Sequence, residues 1–521
     1  MAAIVHFDSI IFSNDTSPPP TKRGDRLVSS SDSLARNSTG LLGLVVISLA
    51  GVLAIIGPME VAAFIGVSGP AAIWPVIIGF VLFLLVSLPI LEYTKITSFA
   101  GGYYGLAELG FGKAVGKYTA LSNFFFYNFW QMTNAFGMSA ILLDSIYLVL
   151  HMLIPIWLWL LLAIGVLVVT NLISILPTKR LAIILTAITI VTLAIVVIFT
   201  LFVIAKSPFN SVYYLNPANS YSGFTGIATG TAIYGFFLYV GYGTTLFFSE
   251  EGRNAKRNVW RAIYLGLGIS AVVIALSAYS EVVSVPLSSL SSVSSATLPQ
   301  LVTWNHYIPS TVLLGFNILV FVISIMSFGA GGGSQSRLLW SMSRDSFIKS
   351  KWLRRLSSKN NVPVNAVIAQ FVLALATVLV VAVAMIGFYG YSPTTVTVAW
   401  FAAGTAGTII WYFHHFIPEF GLYPFLRKHP NLKYPAFRKY VAGLIVPIGG
   451  TALFIYTFYV GIVADLVEPY FAFVIVDTII LIVIAFFVAY KGHRGEIGDS
   501  TVSYMAAEAG GTVIGGSDNS E

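Results

Sequence analysis

The chain has 521 residues, of which 57% are hydrophobic and only 9% are charged. Soluble proteins usually carry about 25% charged residues, so this composition excludes a soluble globular protein and indicates an integral membrane protein. Cysteine is absent, which excludes both a disulfide framework and a thiol-ligated metal site.

Twelve apolar segments follow one another along the chain, each long enough to span a bilayer. We expect an all-α membrane protein with 12 transmembrane helices, because an open sheet cannot satisfy its edges in lipid. The segments, numbered 1 to 12 below, lie near 41–67, 71–92, 118–144, 150–175, 181–205, 226–249, 260–283, 310–335, 362–388, 394–416, 438–463 and 467–490.

The two ends of the chain differ in composition from the apolar part. Residues 1–40 are polar and rich in Ser and Pro, and the last residues are rich in Gly and Ser. Such compositions cannot bury enough apolar surface to fold. We therefore predict a disordered N-terminal tail over 1–40, a transmembrane domain over 41–491, and a disordered C-terminal tail over 492–521.

Basic residues are distributed unevenly between the two sides of the predicted bundle. With the N-terminus inside, 27 of the 28 Lys and Arg fall on the inner side, and only Lys206 falls outside. Cytoplasmic loops carry an excess of Lys and Arg, so this bias predicts a multi-pass protein of the cell membrane with both termini cytoplasmic. It also accounts for the net charge of +7 without a nucleic-acid partner.

The middle of segment 1 contains residues that do not suit a continuous transmembrane helix. Gly57 is followed by Pro58, which has no N–H donor, and Glu60 places a carboxylate at bilayer depth. Irregular backbone at this depth is tolerated only where it is buried in protein or lines a cavity. We predict that residues 56–60 form part of a midplane binding site in a transporter.

Segment 6 has a similar irregularity at a corresponding place. Gly241 and Gly243 flank Tyr242 in mid-span, and glycine weakens a helix. Segments 1 and 6 each open a block of five segments. Paired interruptions at such positions indicate an inverted-repeat transporter, in which the free peptide groups of two broken helices bind the substrate.

Several motifs then appear in a fixed order, and together they resemble the amino acid–polyamine–organocation superfamily. The resemblance covers residues 40–490 and rests on Ala100–Gly105, Tyr239–Gly243, Ser249–Asn254, Ser336–Leu339, Ser343–Asp345 and Val362–Ala366. It implies a secondary transporter of amino acids, polyamines or related amines. It also implies two inverted five-helix repeats, formed by segments 1–5 and 6–10, followed by two extra helices.

The resemblance also implies roles for individual residues. Ile56 and Gly57 match the start of a loop that holds a substrate carboxylate, and Phe237 matches an aromatic gate over the substrate. The loop near the substrate amine is matched by Tyr239, Gly241 and Tyr242. The chain departs from the family pattern where Gly-Ser-Gly is usual, since Pro58 and Met59 follow Gly57. It departs again at Gly243, where glutamate is usual.

Further polar residues inside the segments are candidates for the same site. Asn128 and Gln131 lie on one face of segment 3 and either line the substrate path or bond to neighbouring helices. Glu60 either carries a proton or ties two helices together. Ser324 and Ser327, one turn apart in segment 8, either bind a sodium-like ion or bond within their own helix.

No constellation of catalytic residues recurs in the segments, and we expect neither enzymatic activity nor a cofactor or metal. We expect a site between segments 1, 3, 6 and 8, with segment 10 contributing near Trp400 and Thr405. The sequence thus predicts a secondary active transporter that moves amino acids or related small amines by alternating access, driven by a gradient of H⁺ or Na⁺ or by exchange. The alternatives are a polyamine or organic-cation transporter, and a non-transporting membrane sensor of the same fold.

Overall fold

The computed structural model describes residues 33–52, 59, 61–235, 237–294, 296, 298–430, 434–460 and 469–510. The regular secondary structure of these residues is entirely helical, and the sole strand-like pairing among them is one isolated bridge between Thr39 and Gly252. The prediction of an all-α fold is therefore confirmed for the described part of the chain.

Ten helices are long and apolar enough to cross a membrane in the part of the chain that the structure describes. They correspond to segments 2–5 and 7–12, and they pack as a bundle. Their bounds are Ile73–Thr94, Lys113–Leu150, Ile156–Ser174, Thr178–Lys206, Ala255–Val283, Ser310–Arg344, Val364–Tyr389, Pro393–Lys428, Ala436–Phe458 and Tyr470–His493.

Segments 1 and 6 have a different form. The described part of segment 1 comprises two short apolar helices, Leu41–Val52 and Ala62–Ala71. Segment 6 begins as the α-helix Gly223–Gly230, continues as the π-helix Thr231–Gly235, and ends as the 3₁₀-helix Phe237–Glu251. Runs of 3₁₀-helix longer than 3–4 residues are uncommon, and a π-turn is often found at a functional site. The irregular backbone thus begins at Thr231, well before the glycines that suggested it.

Two other transmembrane helices change geometry along their length. Segment 10 is divided into the helices Pro393–Thr405 and Thr408–Lys428, and Gly407 lies at the junction. Segment 11 passes from the helix Ala436–Tyr440 through the π-helix Val441–Ile445 into the helix Val446–Phe458. Short helices join the segments: Tyr103–Phe111, Val212–Leu215, Pro217–Asn219, Leu287–Ser289, Leu290–Ser294, Pro299–Thr303, Trp304–His306 and Lys351–Arg354.

The C-terminal tail contains a helix that the composition did not indicate. Thr501–Gly510 is helical and packs against the Tyr103–Phe111 helix, burying Val502 and Ala506. Asp345, at the end of segment 8, accepts hydrogen bonds from the backbone N–H and the side-chain hydroxyl of Thr501. A partner far away in the sequence therefore accounts for order within a stretch whose own composition favours disorder.

The packing of the segments follows a regular scheme. Segment 1 contacts segment 6, segment 2 contacts segment 7, segment 3 contacts segment 8, and segment 4 contacts segment 9. The interior between these pairs holds the buried polar residues from which the candidate site is built.

Candidate functional site

Segments 1 and 6 touch backbone to backbone. A Cβ atom on Gly51 would lie 2.2 Å from the carbonyl oxygen of Gly241, and one on Gly241 would lie 1.8 Å from that of Gly51. Real Cβ atoms do not approach other atoms this closely, so the contact requires glycine on both sides. Small residues allow this kind of close approach between helices in membranes. Gly241, a predicted site residue, is therefore in direct contact with Gly51 of the Leu41–Val52 helix.

Hydrogen bonds reinforce the same contact. The Thr245 hydroxyl donates to the carbonyl oxygen of Leu44 at 3.1 Å, and the Ser48 hydroxyl lies 3.5 Å from the carbonyl oxygen of Tyr242. Both hydroxyls are fully buried. Buried carbonyl groups need such partners, particularly where the helix geometry is irregular.

Tyr239 and Tyr242, two predicted site residues, are both fully buried in segment 6. The Tyr239 hydroxyl donates to the carbonyl oxygen of Val76 in segment 2 at 3.1 Å. The Tyr242 hydroxyl lies 3.1 Å from Nε2 of His415 in segment 10. The two side chains thus extend from segment 6 toward different neighbours, and each hydroxyl has a partner within the protein.

Four predicted site residues cannot be placed in the same detail. Ile56, Gly57 and Glu60 lie outside the residues that the structure describes, and only the backbone of Phe237, at the start of the 3₁₀-helix, is described. Their roles in substrate binding, and that of Glu60 in ion coupling, stay predictions.

Asn128 and Gln131, the predicted site residues of segment 3, are bonded to other helices. The amide of Asn128 donates to the Thr377 hydroxyl of segment 9 at 3.0 Å. Gln131 belongs to a chain of buried amides that joins segments 3, 4, 8 and 9. Gln131 donates to Gln335 at 2.5 Å and accepts from Asn171 at 2.8 Å, and Asn171 accepts from Gln370 at 3.0 Å. These contacts are those of residues that join helices, and substrate binding by Asn128 and Gln131 stays a prediction.

Ser324 and Ser327 are both buried in segment 8. The hydroxyl oxygen of Ser324 has no hydrogen-bond partner among the residues described. A serine within a helix commonly bonds to the carbonyl group four residues earlier, and Ser324 does not. Its oxygen is available as a ligand for an ion, although ion coupling by this pair stays a prediction.

The residues named in segment 10 differ from each other in their surroundings. The Trp400 indole packs against Gly137 of segment 3, where a Cβ atom would lie 2.5 Å from its Nε1 atom. Thr405 donates to the carbonyl oxygen of Phe401 in its own helix, and it is only half-buried. Trp400 therefore faces the interior of the bundle, whereas Thr405 lies at its edge.

A family model described as amino acid permease matches residues 39–492, which is most of the chain. The chain belongs to the amino acid permease family of the amino acid–polyamine–organocation superfamily. A search of curated proteins finds no match to the permease. The family membership confirms the resemblance seen in the sequence, and it shows a membrane transporter rather than an enzyme.

Close packing explains why position 243 of the permease is a glycine. A Cβ atom at this position would lie 1.8 Å from the hydroxyl oxygen of Tyr103, which comes from the helix that follows segment 2. The space that a glutamate side chain would occupy is therefore filled by a tyrosine hydroxyl. The ring of Tyr103 also lies 5.4 Å from the rings of both His414 and His415.

Sequence reasoning missed one group of residues in the permease. Nδ1 of His415 lies 2.9 Å from Oε1 of Glu419, and both side chains are fully buried. The two residues are four apart and therefore share a helix face. That i,i+4 spacing in segment 10 is the signal in the sequence that indicates the pair. In the described ranges, no group of three or more His, Asp or Glu could hold a metal ion.

Charged residues cluster where segments 3 and 8 meet the end of segment 6; we call this the basic end. The Arg337 guanidinium donates to the Glu251 carboxylate at 2.6 Å and to the Thr178 hydroxyl at 2.8 Å. Arg344 forms two hydrogen bonds with Glu250, at 2.9 and 3.0 Å. The backbone N–H of Ser38 donates to the carbonyl oxygen of Glu251, so the chain before segment 1 is tied to the same place.

Asp345 and Glu108 share one lysine at the basic end. Nζ of Lys117 lies 2.7 Å from Asp345 and 3.2 Å from Glu108. Burial alone raises the pKa of Asp345, but Lys117 and Arg344 outweigh it and hold that pKa below its ordinary value. For Glu108 burial prevails over the attraction of Lys117, and its pKa is raised. Asp345 is therefore the principal ion-pair partner of Lys117.

Proposed function

We propose that the permease is a secondary active transporter that moves amino acids or related small amines across the cell membrane by alternating access. The observation that carries the proposal is the contact between Gly51 and Gly241, which brings segment 1 against the irregular backbone of segment 6. Peptide groups without helical partners at such a place bind the charged groups of a substrate. The family match over residues 39–492 agrees with this assignment.

The arrangement of the segments supports an inverted repeat within a 12-helix bundle. Segments 1, 2, 3 and 4 contact segments 6, 7, 8 and 9 in turn, so each contacts the segment five places later. An odd offset reverses the direction of a segment across the membrane, as an inverted repeat requires. The amide chain follows the same rule, because Gln131 bonds to Gln335 and Asn171 to Gln370.

The basic end supports one half of an alternating-access cycle. Arg337 and Glu251 join segments 8 and 6, and Thr178 adds segment 5. In the proposed orientation, with both termini cytoplasmic, this cluster closes the cytoplasmic side. Opening that side breaks these contacts, and the driving force is a gradient of H⁺ or Na⁺ or the exchange of one substrate for another.

Within this scheme, Ile56, Gly57, Gly241 and Tyr242 bind the substrate. Tyr239 positions segment 6 against segment 2 through Val76. A matched pair of variants tests this role. Tyr239→Phe removes a hydroxyl at the site. Tyr307→Phe is the control, because its hydroxyl donates to the carbonyl oxygen of Ser284 and belongs to neither segment 1 nor segment 6. We expect the first variant to change the concentration dependence of transport and the second to leave it unaltered.

The decisive experiment has two steps on the purified protein. A panel of amino acids, polyamines and other amines is first screened for an increase in melting temperature, since a ligand that binds the folded state stabilises it. Radiolabelled compounds that stabilise the protein are then used in counterflow assays in proteoliposomes. Accumulation against unlabelled compound is expected, and binding without accumulation would identify a sensor and contradict the proposal.

One observation favours a second candidate function. Pro58 removes a backbone donor from the loop in which the family holds a substrate carboxylate. A substrate without that carboxylate, such as a polyamine or another organic cation, does not need the donor. The counterflow panel separates the two candidates, because only one of them predicts that amines without a carboxylate outcompete amino acids.

A further inference from the structure

Three buried side chains meet between segments 6 and 10 without a full set of hydrogen bonds. His415 and Glu419 approach to 2.9 Å, and the Tyr242 hydroxyl lies 3.1 Å from the other ring nitrogen of His415. The 2.9 Å contact is not aligned as a hydrogen bond. Neither Nδ1 of His415 nor either carboxylate oxygen of Glu419 has another partner among the described residues.

The number of protons on this pair decides its charge. With neutral histidine and ionised glutamate, the pair carries a net charge of −1 in a buried place, which is unfavourable without a counter-charge. One further proton, taken from water, makes the pair neutral, either as imidazolium with carboxylate or as imidazole with carboxylic acid. In either form, the added proton lies on one of the two groups and cancels the net negative charge of the pair.

The surroundings contribute titratable groups, and among the described residues no Lys or Arg forms an ion pair with His415 or Glu419. The titratable groups that face the pair are His414 on the same helix, Tyr242 on segment 6, and Tyr103 on the helix after segment 2. Tyr127 on segment 3 and Tyr264 on segment 7 lie beside Tyr103 and Tyr242 respectively, and the Tyr93 hydroxyl on segment 2 lies near Gly421 on the helix of the pair. Of the charged residues on these neighbouring elements, Glu108 is bonded to Lys117 and Glu92 to Lys95, whereas the buried carboxylate of Glu281 on segment 7 has no hydrogen-bond partner among the described residues. On segment 12, Asp477 faces the backbone of Ile409, at the start of the same half-helix as the pair.

The pair is connected to the contact between segments 1 and 6 through Tyr242. The hydroxyl of Tyr242 reaches His415, while its carbonyl oxygen lies 3.5 Å from the Ser48 hydroxyl of segment 1. Tyr242 directly follows Gly241, whose backbone touches Gly51. A change in the charge of the pair therefore acts directly on the residue that joins segments 1, 6 and 10.

We propose that Tyr242, His415 and Glu419 form a proton-binding site, through which the permease couples transport to the movement of H⁺. The inference rests on the proposed transport function and identifies its coupling ion. It places the proton in segment 10 rather than on Glu60. Binding of one proton neutralises the pair, and its release restores the negative charge beside segment 6.

A spectroscopic test needs no transported substrate. Infrared difference spectra of the purified protein between alkaline and acidic pH detect protonated carboxyl and imidazolium groups. We expect Glu419→Gln and His415→Gln each to remove or alter the same component of the wild-type spectrum. Asp477→Asn, which changes another fully buried carboxyl without a hydrogen-bonded partner atom, is the matched control and should retain that component. An unaltered spectrum in the Glu419→Gln variant overturns the proposal.

A transport test uses the labelled compound that gives the strongest counterflow. The measured quantity is the ratio of uptake under an inward proton gradient to counterflow in the same vesicles, so that a general loss of activity cancels. We expect the gradient to raise uptake by the wild type and by Asp477→Asn, and to have no effect on Glu419→Gln. If Glu60→Gln alone abolishes the effect of the gradient, the proton site is not the pair. If no compound gives counterflow, the transport function fails, while the spectra still decide whether the pair binds a proton.

Discussion

The basic end and the Tyr242–His415–Glu419 site place buried ionisable groups in opposite situations. At the basic end, Arg337 and Glu251 meet at 2.6 Å and each is fully buried, so charge is matched with charge. Between segments 6 and 10, the ion-pair partner of the Glu419 carboxylate among the described residues is a histidine rather than a Lys or Arg. In the first arrangement, a guanidinium and a carboxylate compensate each other's charge. The second changes its charge whenever one proton binds or leaves.

The difference separates a structural from a functional use of buried charge. Removing one member of a matched pair leaves the other charged and unpaired, so residues of the basic end should influence stability first. The histidine–glutamate pair is expected to influence the response to pH first. The predictions below test where that division holds, beginning with the largest expected change in the free energy of unfolding.

Replacement of Arg337 is expected to have the largest effect. Arg337→Met leaves Glu251 buried and unpaired, which should lower the free energy of unfolding by about 3–5 kcal/mol. The double variant Glu251→Leu/Arg337→Met replaces the whole pair with apolar side chains and should regain most of that loss. Unfolding in mixed micelles of dodecylmaltoside and SDS measures both values.

The exposed neighbour Lys179 provides the control, since Lys179→Met should change stability by less than about 0.5 kcal/mol. If the double variant is as unstable as Arg337→Met alone, the loss does not come from an unpaired charge. The description of the basic end as a matched pair would then be wrong.

Asp345 should be next in magnitude, and its effect depends on pH. Its pKa is held below the ordinary value by Lys117 and Arg344 despite burial. A lowered pKa in the folded state contributes stability above the ordinary pKa of aspartate, about 3.9. That contribution is lost as the pH falls through the lower, folded-state pKa. Asp345→Asn removes it, and the loss at neutral pH should be about 1.5–3 kcal/mol, as for a hydrogen bond to a charged group.

The pH dependence distinguishes this effect from a simple packing defect. The stability of the wild type should fall toward that of Asp345→Asn as the solution is acidified, and melting temperatures recorded across the acidic range measure this convergence. Asp499→Asn is the control, because only backbone atoms of Asp499 bond at the basic end. A constant difference between wild type and Asp345→Asn at all pH values would sink the assignment of Asp345 as an ionised partner.

The contact between Gly51 and Gly241 is tested by adding a methyl group to Gly241. In Gly241→Ala the new Cβ atom would lie 1.8 Å from the carbonyl oxygen of Gly51, so segments 1 and 6 must move apart. We expect a loss of about 1–3 kcal/mol, typical of an overpacked core, together with reduced counterflow. Gly268→Ala is the matched control, since a Cβ atom there meets no other atom within 4 Å. Equal behaviour of the two variants would show that the contact is not needed.

The sequence predicts those features of the permease that depend on local composition. The length of each apolar run locates the segments, and the glycines of segment 6 indicate the place where Gly241 meets Gly51. The local pattern does not predict the hydrogen-bond partners of side chains, because these partners come from distant parts of the chain. Gln131 shows this, since its amide finds Gln335 across 204 positions of sequence.

The same reason explains the two features that the sequence analysis missed. His415 and Glu419 have the spacing of a helix-face pair, but their importance comes from Tyr242, which is 173 positions away from His415. The Thr501–Gly510 helix lies in a stretch of polar and small residues, and it is held by Asp345 at a separation of 156 positions. Neither partner can be inferred from local periodicity.

The smallest expected effect concerns that last contact, and it refines the role of the basic end. Thr501→Val keeps the shape of the side chain but removes the hydroxyl that donates to Asp345, so the variant should lose about 1 kcal/mol of stability. The loss is small because Lys117 still pairs with Asp345. Tyr504→Phe, on a more exposed face of the same helix, should have no measurable effect. Hydrogen exchange over residues 499–506 provides the decisive readout. Faster exchange in Thr501→Val alone would show that the basic end orders the C-terminal helix, whereas unchanged exchange would mean that the apolar contacts of Val502 and Ala506 suffice.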